Sequence, residues 1–131
     1  MLSDQFIAVL NEEQEIINVL KSEAVYAIMV RENSIVIMNK ATNSNLESFF
    51  KKPKEIQKAL KSLAISQGFK KVEDCFLKCK KKDNGVDRDI YIVPEEVLYV
   101  ERFGENGSKI YLNHRGETMT VETSINDIFK Y

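Results

Sequence analysis

The chain has 131 residues, 44% of them apolar and 30% charged, with a net charge of −1 at neutral pH. That is enough to build one domain around a core, and it excludes an intrinsically disordered chain. No run approaches the roughly 20 apolar residues that span a bilayer, and "MLSDQFIAVLNEEQEII" has no basic region ahead of its apolar residues. A cytoplasmic protein without membrane contact is expected.

In chain order, Asn11 followed by Gln14 fits a capping-box start. With Ile16, Ile17 and Leu20 on one face, it predicts a helix ending near Ser22. "AVYAIMV" (24–30) and "SIVIM" (34–38), split by Arg31-Glu32-Asn33, predict a hairpin. Its near-continuous hydrophobicity implies strands covered on both faces. The turn-rich "NKATNSNLES" predicts a loop. Pro53 then opens an amphipathic helix over 53–67, with Ile56, Ala59, Leu60, Leu63 and Ala64 at core spacing. Lys54, Lys58 and Lys61 fall on its other faces, and Gly68 and Phe69 supply its C-terminal cap.

"CFLKCKK" (75–81) alternates as a strand does, ending at the Asp83-Asn84-Gly85 turn. On such a strand Cys75 and Cys79 share one face about 13 Å apart, by the rise of about 3.3 Å per residue, too far to bridge. "DIYIV" (89–93), "EEVLYVERF" (95–103), "KIYL" (109–112) and "TMTV" (118–121) follow as an antiparallel meander. Asn106-Gly107 suggests a two-residue hairpin turn, and "NHRG" a short turn closing with a bulge. Thr123 or Ser124 caps a last helical turn in which Ile125, Ile128 and Phe129 share a face. No sustained internal repeat is visible. The fold class expected is α+β: an N-terminal helix and β-hairpin, an amphipathic helix, then an antiparallel meander with a short C-terminal helix. It forms a single domain over 1–131, with a subdivision between 1–68 and 69–131.

Charge is segregated along the chain. Residues 51–82 hold 11 lysines against Glu55, Glu73 and Asp74, while residues 1–50 and 83–131 are both acidic on balance. A basic middle is a footprint for a polyanion or a solvated lysine face, and lysine rather than arginine suits phosphate contact better than base readout. Chemistry is sparse by contrast. His114 is the only histidine, so no histidine pair can hold a metal, and no nucleophile motif or phosphate-cradling glycine loop is present. Glu95 and Glu96 are consecutive and point to opposite faces of a strand, so they form no acid/base pair. A non-enzymatic protein without cofactor or metal is expected. The hairpin tips "GENGSK" and "NHRGE" offer Asn106, Ser108, Lys109, His114 and Arg115 as hydrogen-bond donors for phosphates or base edges.

The stretch from Asp74 to Ile128 resembles the first half of a LytTR-type DNA-binding domain. The family's "I-x-x-x-x-I-x-Y-I-E" appears as "IVPEEVLYVE", with Ile92, Val97, Tyr99, Val100 and Glu101 in the matching places. A variable hairpin, a strand, the Arg115-Gly116 turn and the capped Ser124–Ile128 helix follow. The family's "F-x-R-x-H-x-S-x-x-V-N" segment, which supplies a second set of contacts, has no counterpart before Tyr131. The resemblance implies a bacterial transcriptional regulator that inserts loops into major grooves. Arg102, Asn106, Ser108 and Lys109 would be its contacts, with His114 and Arg115 at the next turn, and Lys54, Lys58 and Lys61 would neutralise phosphates. The same residues also resemble a small flagellar and swarming-motility protein family that is not DNA-binding by pattern. The alternative is a small adaptor or inhibitor, encoded by a phage or mobile element, that meets an acidic protein partner through a sheet edge or the basic helix. Oligomeric state stays open, with a homodimer compatible.

Overall fold

The apolar runs at 24–30 and 34–38 have no polar face to turn to water, and the architecture covers both of theirs. The computed structural model describes residues 5–130. The chain runs through β1 (Phe6–Leu10), β2 (Ile16–Lys21), a 3-10 turn (Ser22–Ala24), β3 (Val25–Val30), β4 (Ser34–Asn39), β5 (Leu46–Phe49) and α1 (Pro53–Ser66). A short α2 (Val72–Cys75) leads into a second run of the same elements. These are β6 (Leu77–Asp83), β7 (Val86–Ile92), a 3-10 turn (Pro94–Glu96), β8 (Val97–Phe103), β9 (Gly107–Leu112), β10 (Thr118–Val121) and α3 (Ile125–Phe129).

The strands form a central antiparallel sheet of order β5-β4-β3-β7-β6, a three-stranded sheet β10-β9-β8 and the hairpin β1-β2. Alternate residues of the central sheet serve two cores. Ile28, Ile35, Ile37 and Tyr91 pack with Ile56, Leu60 and Leu63 of α1 and with Val9 and Leu20 of the first hairpin. Ala27, Met29, Val36, Met38, Ile90 and Ile92 pack with Ile110, Leu112, Met119 and Val121 of the second meander and Ile128 of α3. Helix α1 and the β8–β10 meander therefore cover opposite faces of the central sheet. Each fully buried isoleucine in these layers stabilises the fold by roughly 1.5–3 kcal/mol.

The two runs are copies of one unit: hairpin, 3-10 turn, three-stranded meander, helix. Ser22, Val25 and Ile56 correspond to Pro94, Val97 and Ile128, each 72 residues on. Both meanders carry a register shift at the same point, between Val25 and Ala27 and between Val97 and Tyr99. Lys40 N–H donates to Ala24 O at 2.7 Å, and Asn113 N–H repeats the bond to Glu96 O at 2.8 Å. Each hairpin is also tied to the last meander strand of its unit by a side-chain hydroxyl, though not at equivalent positions: Leu10 N–H donates to Ser48 Oγ within β5 at 3.0 Å, and Lys80 N–H to Thr123 Oγ1 just past β10 at 2.8 Å. The duplication is one of element order and backbone bonding; few identities accompany it, and residue identity is what a reading of sequence repeats detects.

The α+β class, the hairpin covered on both faces, the basic helix and the meander with its capped C-terminal turn are all present. Ser124 Oγ accepts from Asp127 N–H at 3.2 Å, and Phe69 N–H closes α1 onto Ala64 O at 2.9 Å. Four local expectations are corrected. The segment 11–22 is not a helix: Asn11 Oδ1 accepts from the N–H groups of Glu13 and Glu15, at 3.0 and 2.9 Å, and so caps the turn of the β1–β2 hairpin. Part of the expected loop 39–48 is β5, whose residues pair with β4. Cys75 ends α2 rather than lying on the strand, so the two buried thiols sit in different cores. The Asn106-Gly107 pair does not form a two-residue turn. Phe103 pairs with Gly107, and the left-handed residue is Gly104. Gly107 is needed for another reason, since a Cβ there would lie 2.7 Å from Phe103 O and 2.9 Å from Val121 O.

Candidate nucleic-acid interface

Residues Lys54, Lys58 and Lys61 recur at i, i+4 and i+7, and the burial of Ile56, Leu60, Leu63 and Ala64 turns this stripe of α1 outward. All three are exposed, as are Lys51 and Lys52 before the helix and Lys70 and Lys71 after it. None of these seven has a carboxylate within ion-pairing distance among the described residues. The lysines of β6 differ. Lys82 pairs with Asp87 at 2.8 Å, Lys80 pairs with Asp89, and Lys78 stands 3.9 Å from Asp89. Lys81, the fourth lysine of β6, donates to Thr120 O at 3.3 Å instead. The basic segment thus divides into a strand with three of its four lysines beside carboxylates and a helix face with none.

The hairpin residues are placed unevenly. Arg102 is exposed, its Nε bonded to Gly104 O at 3.1 Å, and Asn106 is exposed at the β8–β9 tip. Lys109 is half-buried, its ammonium 5.3 Å from the Tyr111 ring centre. Ser108 is fully buried and donates to Thr123 O at 2.7 Å, tying β9 to the segment ahead of α3. His114 is buried too, its ring 5.3 Å from that of Tyr26. Beside it the Tyr26 hydroxyl donates to Glu117 Oε2 at 2.9 Å. Burial and this carboxylate push the phenol well above its ordinary range. Arg115 bonds Asn43. The His114 turn is therefore a clasp that fastens the second meander to β3 and the loop after β4.

The lysine stripe and the β8–β9 tip do not come together. Helix, central sheet and meander are three layers, each about 10 Å from the next, with these two features on the outer sides. Sequence reading also passed over an aromatic face. The Tyr99 ring packs at a tilt against that of Tyr111, centres 5.3 Å apart, Phe103 lies exposed on the same strand, and Glu101 accepts from the Tyr111 hydroxyl at 2.8 Å. The period-2 spacing of 99, 101 and 103 was the available signal.

Other chemistry is restrained by its surroundings. Burial pushes the Cys79 thiol up to about 12, and burial with Glu95 nearby raises Cys75. Glu96 is buried and paired with Lys40. Among the described residues no group of three histidine, cysteine or carboxylate side chains could hold a metal, and no helix is long and apolar enough to cross a membrane. Arg31 bridges Asp83, at 2.9 and 3.0 Å, and Glu47, at 3.1 Å. The guanidinium holds Asp83 below the usual carboxylate range. An apolar cavity of about 280 Å³ lies between α1 and β1, lined by Phe6, Ile28, Leu60 and Leu63, with Ser62 and Ser66 among its polar groups. No protein-family model, curated protein or solved structure matches the chain.

Proposed function

We propose that the protein is a non-catalytic DNA-binding regulatory module whose first contact is electrostatic, with α1 holding the phosphate backbone. Its support is the face formed by Lys54, Lys58 and Lys61 with the flanking lysines, which has no carboxylate partners among the described residues, against a β6 in which three of four lysines stand beside an aspartate. Unpaired ammonium groups release counterions from a duplex, and the gain grows with each phosphate neutralised. A lysine is a compact point charge on a flexible stem, suited to phosphate and indifferent to base sequence. Loop reading of the LytTR kind would work without Ser108 and His114, which are buried, leaving Arg102, Asn106, Lys109 and Arg115 as its exposed or half-exposed donors, Arg115 with one N–H already given to Asn43. The test is fluorescence anisotropy with a labelled random-sequence duplex at about 50 mM salt, where phosphate contacts dominate. Binding is expected, and K54Q/K58Q/K61Q together should weaken it about tenfold or more; absence of binding by the native protein sinks the proposal.

One observation favours a second reading, an adaptor for an acidic protein partner. Ile65 continues the stripe by one turn and is exposed, giving the basic face an apolar anchor. Capture from lysate before and after nuclease treatment separates the two. A partner that survives nuclease and is lost in Ile65→Glu favours the adaptor.

A further inference from the structure

The duplication leaves one junction made and its counterpart unmade. In the junction that exists, the first meander strand of unit one, β3, pairs with the second hairpin strand of unit two, β7. Ala27 faces Ile92, Ile28 faces Tyr91, Met29 faces Ile90, and Val93 N–H closes on Tyr26 O at 3.0 Å. The corresponding edges with the units exchanged are β8 and β2. Each ends its sheet, with no strand beyond it among the described residues. Carried across the repeat, the same register sets Tyr99 opposite Leu20, Val100 opposite Val19 and Glu101 opposite Asn18. Continued along the strands, it sets Phe103 opposite Ile16.

Exposed apolar side chains concentrate on these two edges. Of the eleven large hydrophobic residues exposed among the described residues, Ile16, Ile17 and Val19 lie on β2 and Leu98, Tyr99 and Phe103 on β8. Equivalent positions show what is missing. Tyr26 and Tyr91 are 5% and 6% exposed in the made junction, whereas their counterparts Leu98 and Val19 are 66% and 49% exposed. An edge strand of this kind is a template for another chain, and natural edges are ordinarily blunted by charge, proline or a covering element. Here β2 carries Ile-Ile-Asn-Val along its open edge.

We infer that the protein self-associates head to tail, β2 of one copy adding to β8 of the next in the register of its own β3–β7 junction. The occupant is a second copy because this chain already contains both halves of that joint in working form. The operation relating unit one to unit two is not a two-fold, since a two-fold would have paired β2 with β8 inside the monomer. The contact is therefore heterologous, and its repetition propagates into a larger ring or an open chain.

Sedimentation velocity over a concentration series tests this. The native protein is expected to grow beyond its 15.1 kDa monomer mass, passing through and beyond the dimer as concentration rises. Val19→Lys disables only the β2 edge and Leu98→Lys only the β8 edge, so each alone should stay monomeric. Mixed in equal amounts, the intact β8 of the first should take the intact β2 of the second, giving a species of twice the monomer mass and no larger. That rescue also shows both variants to be folded. A native protein that stays monomeric to about 1 mM (a Kd of 1 mM is only about 4 kcal/mol of binding) overturns the inference. So does self-association that survives in the single variants, or a mixture that remains monomeric.

Discussion

Two copies of one unit lie side by side in this chain, and they differ in what they leave exposed. The meander of unit one is closed on both faces, with every residue of β4 buried. That of unit two alternates, with Ser108, Ile110 and Leu112 buried and Lys109 and Tyr111 half-exposed. The first unit ends in a helix of 14 residues with a lysine face, the second in one of 5. One backbone plan thus yields a central layer in the first copy and a presenting layer in the second. The difference is written in single positions: Met29 against Glu101, Val36 against Lys109, Ser34 against Gly107.

Substitution at such pairs sharpens the contrast, and the core gives the largest effect. Met29→Ala should cost about 2–5 kcal/mol as a buried truncation. Glu101→Ala, at the equivalent place, should stay within about 0.5 kcal/mol plus a lost tyrosine hydrogen bond of about 1 kcal/mol. Urea unfolding of both variants measures the gap, and equal costs would remove the distinction between the layers. Next in size is Gly107→Ala. Its methyl group would meet two backbone carbonyls, an overpacking cost of about 1–3 kcal/mol. Ser34, its counterpart, carries a side chain without strain, and Ser34→Ala should lose only the hydrogen bond to Glu47, about 1 kcal/mol.

A smaller effect separates the ion pair at Arg31 from the exposed lysines. Asp83 has a folded-state pKa held below its unfolded value of about 3.9, chiefly by the hydrogen bond from Arg31. Its stabilisation is therefore fully present above about pH 4 and is lost as pH falls through the folded pKa. Asp83→Asn should lower stability at pH 7 by about 1–2 kcal/mol, by loss of a charged hydrogen bond, and the deficit against the native protein should shrink below about pH 4. A deficit that is constant with pH would show that Asp83 acts through packing instead. The lysines of α1 belong at the bottom of the scale for stability: K54Q/K58Q/K61Q should change it by less than about 0.5 kcal/mol per site.

How much of this was legible follows from how local each signal is. Helix α1 was readable because five core residues, an opening proline and the Gly68-Phe69 cap all lie within one segment. Strands β3 and β4 were readable because burial on both faces leaves an unbroken apolar run. The first hairpin misled because Asn11 uses the same chemistry to close a turn as it would to cap a helix, and Ile16, Ile17 and Leu20 fit either face. Apolar residues on an exposed edge make sense only once the missing neighbour is considered. Ser108 and His114 looked like tip residues because the groups that bury them, Thr123 and Tyr26, are 15 and 88 residues away in sequence. The stripe of unpaired lysines was visible as composition, but its distinction from the lysines of β6 depends on Asp87 and Asp89, which only the β6–β7 pairing brings beside them.

The central functional claim is that α1, not β6, meets the phosphates, and the salt dependence of DNA affinity addresses it most directly. A plot of log K against log salt has a slope of about −0.9 per phosphate neutralised. If Lys54, Lys58 and Lys61 each neutralise one, K54Q/K58Q/K61Q should flatten that slope by about 2.7, while K78Q/K80Q/K82Q should leave it nearly unchanged. An unchanged slope in the α1 variant, or equal losses in the two, would contradict the account.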